Sequence, residues 1–528
     1  MKKIGYLLGS ALLFSAGLNA QSVYDVTTFS NSDLNGTARF IGMGGAMGAL
    51  GGDISTMSTN PAGIGVYRSN DLMVTFGTTN NVSKASFGNS SLSEDHNHGT
   101  FDNFGFVYSK RVGSQNDVVQ FVNFGFNYRR SKQLYGNLTT SQSLNNTSQT
   151  EQIGDMASSG GTPAAGKENG YFSFDNGDIS WLTVMGQRNG VINYNATDGT
   201  YHANSILSSN YSLVNNFHSR ERGGIDAFDL NGAINLRDRI YLGLTLSLYD
   251  VDYSKYTGYQ ESFDQSKYYN VQSWNKYTGS GWDLKLGAII RPIEESSFRI
   301  GLAIHTPTFY NLTNTTSTRM ESNLSSTDTY VDSQEDMVSL GADPDVDFDY
   351  KLRTPWVYNG SLGYIVGKNL ALGAEYEYRD YSSAKIYDND GNDMMISQNS
   401  TFNDMVGSML KGVSTYRFGA EYKVIPEFAL RLGYNYTSAA YTHDAYKQLT
   451  YNSINTDTDY SNTKQTNNFS FGFGYRGRNF YADFAYLYTH YNADFHPFAD
   501  PAAEYADANL SSVKNDIHNF KITLGYRF

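Results

Sequence analysis

The residue types that could do chemistry are spread thinly along this chain. Asp95, His96 and His98 set two imidazoles and a carboxylate within four positions, a spacing that could ligate a transition metal. Polar residues surround them, so the segment reads as a solvated, flexible loop and no metal is assigned. Nucleophilic catalysis finds no pattern to work with. The chain has no Cys, and no G-x-S-x-G, H-E-x-x-H or Walker motif sets Ser, His or acidic groups at a working spacing. The glycines of 42–52 suggest a dinucleotide loop, but Met47 stands where the third glycine of G-x-G-x-x-G belongs and no strand precedes it. The reading is a protein that binds rather than reacts, with no cofactor. Three groups of residues remain as candidates. Asn60, Pro61, Ala62 and Gly63 follow the Gly/Ala-rich run. Trp181, Leu182, Val184 and Met185 are the most apolar part of a long polar stretch, and either line a ligand groove or form a small core. Arg299, Glu375, Arg417 and Arg431 are charges within otherwise apolar segments.

Those charges lie in segments of period two. From Phe520 to Phe528 every second residue is large and apolar, with Lys521, Thr523, Gly525 and Arg527 between. Such alternation means a strand with one greasy and one wet face. Fourteen segments read this way: 72–79, 101–110, 118–130, 225–236, 241–256, 281–291, 298–310, 354–366, 370–381, 415–423, 428–439, 468–476, 480–491 and 518–528. Leu370, Leu372, Ala374, Tyr376 and Tyr378 share one face; Gly373, Glu375, Glu377 and Arg379 share the other. The connections alternate short and long, which a soluble sandwich has no reason to do. A membrane barrel does, with short periplasmic turns and long outer loops. The fold class is therefore all-β, a 14-stranded antiparallel transmembrane β-barrel. Inward charges imply a polar or water-filled lumen, and inward glycines such as Gly243, Gly301, Gly363, Gly433 and Gly472 leave space in it.

Composition agrees. Gly (51), Tyr (42) and Phe (31) are abundant and Pro (9) is scarce, which suits many strands flanked by aromatic girdles. With 39 basic and 52 acidic residues the net charge is −13, which disfavours nucleic acid, whose phosphates need Lys and Arg. Lys2 and Lys3, an apolar run to Leu18 and the small-residue site Leu18-Asn19-Ala20 read as a secretory signal over 1–20. No later stretch approaches the ~18 apolar residues of a spanning helix.

Asn60-Pro61-Ala62, preceded by the Gly/Ala-rich run and followed by Gly63, resembles the hatch motif of the long-chain fatty acid transporter (FadL) family of outer-membrane proteins. Tyr416-Arg417-Phe418-Gly419-Ala420-Glu421-Tyr422, Leu430-Arg431-Leu432-Gly433-Tyr434 and the closing strand are similar to the family's later strands. The resemblance implies a hatch over 21–71, a barrel over 72–528 with its largest outer loop at 131–224, and contact with outer-membrane lipid and lipopolysaccharide. It implies passive uptake of a hydrophobic small molecule such as a fatty acid. The ligand would pass from an outer groove to an apolar pocket, displace the hatch, and leave sideways through the wall. Three alternatives stay open: a receptor for haem or another amphipathic ligand; a secretion-complex shuttle, a role that barrels like those of this family also take; and a barrel enzyme such as a lipase or deacylase. The pocket residues and the strand kink that releases ligand are not legible in the sequence.

Overall fold

Alternation makes strands, and fourteen of them close on themselves. The computed structural model describes residues 22–499 and 510–528, apart from 89, 115–116, 144–146, 160–170, 205–213, 264–265, 325–327 and 398–399. The expected leader lies outside the described residues. The wall consists of β1 Asp71–Phe87, β2 Ser90–Arg111, β3 Val119–Gln133, β4 Val214–Leu236, β5 Ile240–Ser262 and β6 Tyr268–Ile290. It continues through β7, in two pieces Arg299–His305 and Phe309–Ser322, and β8, in two pieces Val346–Arg353 and Val357–Val366. It ends with β9 Leu370–Asp380, β10 Gly412–Ile425, β11 Phe428–Thr437, β12 Tyr460–Arg476, β13 Phe480–His496 and β14 Ser511–Arg527. Each strand pairs antiparallel with the next, and β1 pairs with β14 from Asp71–Arg527 to Ser86–Ser512. Closure matters because an unpaired N–H or C=O in hydrocarbon costs several kcal/mol, by the order of magnitude for buried polar groups.

The outer face of the wall is apolar where a membrane would lie. Leu230, Leu244, Leu286, Leu302, Leu362, Leu432 and Leu524 all point away from the lumen and are exposed. Tyr364, Tyr422, Tyr475, Phe480 and Tyr526 ring the short-turn end, while Trp282, Phe309, Trp356, Tyr376 and Tyr416 ring the wall higher up. An apolar band between aromatic girdles is the signature of an outer-membrane-type barrel.

The strands run farther than alternation indicated. β4, β5 and β6 are each 23 residues long, against the ~9–11 that cross a bilayer. Above the membrane both faces meet water or polar loops, so the period fades while the ladder continues. The span 80–100 is therefore not the flexible loop expected but the top of the β1–β2 hairpin, where Asn81 pairs with His96 and Thr79 with His98.

Seven-residue and longer helices complete the fold: α1 Val23–Ser30, α2 Gln149–Ser159, α3 Trp181–Arg188, α4 Ser333–Ser339 and α5 Phe402–Met409. In the 131–224 stretch, α2, α3 and a hairpin of Ile192–Asn195 with Thr200–Ala203 fold over the mouth. Their core joins Ile153, Phe172, Trp181, Leu182, Phe495 and Phe498.

Leu432 is 63% exposed and faces lipid. Leu432→Arg should lower barrel stability in refolding titrations by about 2–4 kcal/mol, the scale for a cation near the bilayer midplane. An unchanged unfolding midpoint would mean that this face of β11 does not contact hydrocarbon.

Candidate functional site

The N-terminal segment occupies the lumen as a plug. After α1 the chain descends to a single turn at Ala38–Gly42, capped by Thr37, whose hydroxyl accepts the Phe40 N–H at 3.1 Å. It then winds through glycine-rich turns to 3-10 turns at Ile54–Ser58 and Pro61–Val66. The expected tightly packed helix or turn at Gly44–Ala49 is a set of turns, with Gly44, Gly45, Gly51 and Gly52 at positive φ. Only glycine adopts that conformation without strain.

Each residue of the Asn-Pro-Ala sequence has a local reason. Asn60 caps the last turn, its Oδ1 accepting the Ala62 N–H at 3.2 Å, as N-cap residues do. Its Nδ2 donates to Gly48 O at 2.9 Å within the plug and to Ala288 O at 3.2 Å on β6. Pro61 takes the first helical position, where its missing N–H costs nothing, and its carbonyl accepts from Asn231 of β4 at 3.3 Å. Ala62 is buried against Tyr241 and Ile289. A Cβ on Gly63 would collide with Thr56.

The inward glycines do not leave empty space, as the sequence suggested; the plug backbone fills it. A Cβ on Gly243 would strike the Pro61 carbonyl, one on Gly287 would strike Asn60, and one on Gly373 the Ala46 carbonyl. Gly419 and Gly433 face Met43 and Gly44 in the same way. Spread over five strands, they form a seat in which four glycines meet the plug backbone directly and Gly287 meets the Asn60 amide.

Some inward charges bind the plug, others pair with wall carboxylates, and several line the cavity above it, as a polar lumen requires. Arg299 donates to Leu50 O at 2.6 Å. Glu375 accepts the Gly48 N–H at 3.0 Å, Asn359 at 2.8 Å and Arg417 at 2.7 Å. Arg417 also donates to Glu377 at 3.1 Å. Arg431 lies in contact with Glu421 at 2.7 Å and Asp483 at 2.6 Å. Arg39 of the plug reaches the same Glu421 at 2.8 Å and 3.1 Å. Removing one member of such a buried network leaves a charge unpaired, which costs about 3–5 kcal/mol.

Above the plug lies a cavity of about 490 Å³. An apolar pocket was expected; the lining is mixed. Arg129, Lys132, Asp283, Lys285, Glu377 and Arg379 face it together with Phe29, Leu34, Phe40, Leu134, Ile225 and Tyr310. Most of these charges neutralise one another: Arg129 pairs with Asp229 at 2.9 Å, Lys285 with Asp283 at 2.5 Å and Arg379 with Glu377 at 2.8 Å. Lys132 differs. Its ammonium donates to backbone carbonyls at the end of α1, to Thr28 O at 2.7 Å and Thr27 O at 3.5 Å. It also borders a second cavity of about 290 Å³ on the outer side of α1. In that second cavity burial pushes the Asp25 carboxyl up to about 7, with the Ser22 N–H and Lys447 pulling the other way.

The wall beside the central cavity is not fully laddered. β2–β3 pairing runs only from Arg111–Phe121 to Asn103–Arg129, and β3 has an irregularity between Arg130 and Lys132. Beyond it, β2 is paired with β1 alone, and His98, Gln133 and Tyr135 of this seam line the cavity. The second gap lies where Pro307 interrupts β7 and Pro355 interrupts β8. There Thr354 Oγ1 accepts the Thr308 N–H at 2.7 Å and Thr306 Oγ1 accepts the Leu284 N–H at 3.0 Å.

The remaining sequence candidates fall elsewhere. Trp181, Leu182, Val184 and Met185 are at most 1% exposed, within the cap core. Of the two readings open for them, the structure has the core, and they line no groove among the described residues. His96 and His98 stack with each other at 5.3 Å and on Tyr135 at 5.9 Å and 4.2 Å. No group of three or more potential metal ligands occurs among the described residues. Lys132 was missed because it follows an irregularity, two residues beyond the expected end of its strand.

A closed fourteen-stranded wall with an apolar outer band and an internal N-terminal plug defines an outer-membrane β-barrel. Among solved structures, a Pseudomonas aeruginosa FadL homologue is similar over 94% of this chain and 100% of its own, at 12% identity and a TM-score of 0.54. The chain thus has the FadL-type fold. The Pseudomonas putida toluene transporter TodX also aligns, with 11% identity, 94% and 99% coverage and a TM-score of 0.48. So does the Ralstonia pickettii toluene transporter TbuX, with 13% identity, 94% and 99% coverage and a TM-score of 0.43. No protein-family model matches the chain, and neither does any curated protein.

Gly433→Val should unseat the plug and leave the barrel standing. Cells carrying it should become sensitive to bulky antibiotics, while the protein keeps its heat-modifiable mobility on gels. Unchanged permeability would mean that the glycine seat does not hold the plug.

Proposed function

We propose that the protein takes up an amphipathic small molecule, a long-chain fatty acid or a close relative, passively across the outer membrane. The observation that carries this reading is the mixed cavity with Lys132 at its edge, enclosed between plug and cap and bordered by an unladdered seam. A purely apolar solute gains little in such a cavity, because it would strip water from polar groups and return no hydrogen bonds. A molecule with an anionic head and an apolar tail fits both kinds of lining. Its head would take Lys132 from the Thr27 and Thr28 carbonyls, forming a charge-assisted bond. Its tail would lie along Phe29, Leu34 and Leu134. The seam between β2 and β3 begins beside the exposed Phe101, at the upper edge of the apolar band, so a tail leaving there would reach lipid only at that edge, without crossing the plug. Displacement of the plug around Asn60–Gly63 is the alternative route downward. The outer groove does not reappear in this reading, because Trp181, Leu182, Val184 and Met185 are sealed in the cap.

Binding to the purified barrel tests this. Oleate should bind wild type, and Lys132→Met should weaken it about 10- to 100-fold, the scale of a lost hydrogen bond to a charged group. Oleyl alcohol, which has no charge to pair, should bind both forms alike. Equal oleate affinity in the two forms would remove Lys132 from the account. The ring stack of His96, His98 and Tyr135 favours a second reading, a flat ligand such as haem. That reading expects haem to bind and oleate not to.

A further inference from the structure

The segment 438–459, between β11 and β12, contains no helix or strand, yet 452–460 is buried throughout. Connections of this kind ordinarily lie on the surface, where water satisfies their backbone. This one is folded into the mouth of the barrel. Ser453 O accepts the backbone N–H of Trp181 at 2.9 Å. Thr456 meets Thr318 at 2.8 Å, and Asp457 accepts from Lys255 and Lys447, each at 2.8 Å. The loop stops the barrel from above as the plug stops it from below.

One residue of the plug holds both ends of that loop. Tyr24 of α1 stacks on Tyr441, at the loop's start, with centroids 5.1 Å apart and planes at 27°. It lies 5.5 Å from the ring of Tyr460, at the loop's end. Its hydroxyl donates to Asn462 Oδ1 at 2.7 Å, and Asn462 Nδ2 donates across the loop to Ala445 O at 2.7 Å. Thr27, one turn further, shares a 2.5 Å hydrogen bond with the Tyr441 hydroxyl.

We propose that Tyr24 interlocks the two closures, so that the outer loop stays folded inward only while α1 is docked. The loop's start is also bonded to the end of α5, where the Thr442 N–H donates to Met409 O at 2.8 Å and the Lys411 N–H to Ala440 O at 2.9 Å. Its middle is bonded to cap and wall, but Tyr24 touches both its start and its end. The interlock deepens the uptake reading, on which it rests for its purpose. A ligand head that draws Lys132 away from the Thr27 and Thr28 carbonyls loosens α1 at one end, and the clamp at the other end passes that loosening to the mouth. Outer and inner closures then respond to one event.

The absence of cysteine makes the test direct. Ile454 is fully buried in the loop, so Ile454→Cys reports its opening to a membrane-impermeant maleimide applied to intact cells. With Tyr24 present, labelling should be slow. Adding Tyr24→Ala should speed it at least ~10-fold, as expected when a local opening equilibrium is released, and Tyr24→Phe, which keeps the stack, should fall between. Equal slow rates in all three, with each barrel heat-modifiable, would show that the loop holds itself and would overturn the interlock. Fast labelling with Tyr24 intact would overturn it as well. Because labelling is read without ligand, a failure of the uptake reading alone leaves this result unchanged.

Discussion

A peptide group facing hydrocarbon has nothing to bond but another strand, and everything in this molecule follows from meeting that constraint or relaxing it. The β1–β14 pairing closes the wall, so no edge meets lipid. Against that background the two interruptions are informative. At β7 and β8, Thr306 and Thr354 replace missing ladder partners with their side chains. Between β2 and β3 the ladder ends at Asn103 and Arg129, next to the cavity that holds Lys132. The strand Gly136–Gln142, paired with β4, covers the seam, with Asn81 donating to Tyr135 O at 2.9 Å and Thr139 to Glu94 at 3.0 Å. A wall is opened where something is meant to pass or where another element covers the gap.

The same constraint explains the plug. A barrel of fourteen strands is too wide for its own side chains to fill, and an open pore would breach the membrane's barrier. The chain fills the gap with its own N-terminus, seated against glycines and tied by Arg299, Glu375 and Glu421. Glycine lets backbones approach closely but gives little apolar burial. The polar ties supply the specificity that packing does not. Apolar contacts hold the plug as well, Ile54, Met57 and Ile64 against Met73, Val107 and Tyr481, and Ile41 against Ala485 and Leu487. Displacing it therefore exposes buried apolar surface as well as breaking hydrogen bonds.

The wall was legible from the sequence because lipid and lumen impose opposite demands on neighbouring residues. Leu430, Leu432 and Tyr434 against Arg431 and Gly433 could hardly be read otherwise. Strand length was not legible. Above the membrane residues such as His96 and His98 meet polar surroundings on both faces, and the period that identifies a strand disappears. The role of the inward glycines was hidden for a different reason. Gly287 and Gly433 acquire meaning only once Asn60 and Gly44, far away in sequence, are placed against them. Period two located the charges Arg417 and Arg431 on the inner face, but nothing local told that their partners would be Glu375, Glu377, Glu421 and Asp483. The apolar run at Trp181 carried no signal separating a groove from a core, because both need the same residues.

Cap and plug together describe a vestibule that is closed at both ends, with the unladdered seam at its side. That geometry suits a solute which prefers lipid to water but carries a polar head. The most direct measurement is uptake of a fluorescent long-chain fatty acid by cells with and without the protein, its presence in the outer membrane verified by immunoblot. The account predicts uptake that depends on the protein and saturates with ligand. Equal uptake in the two strains would contradict it and leave the barrel without its proposed cargo.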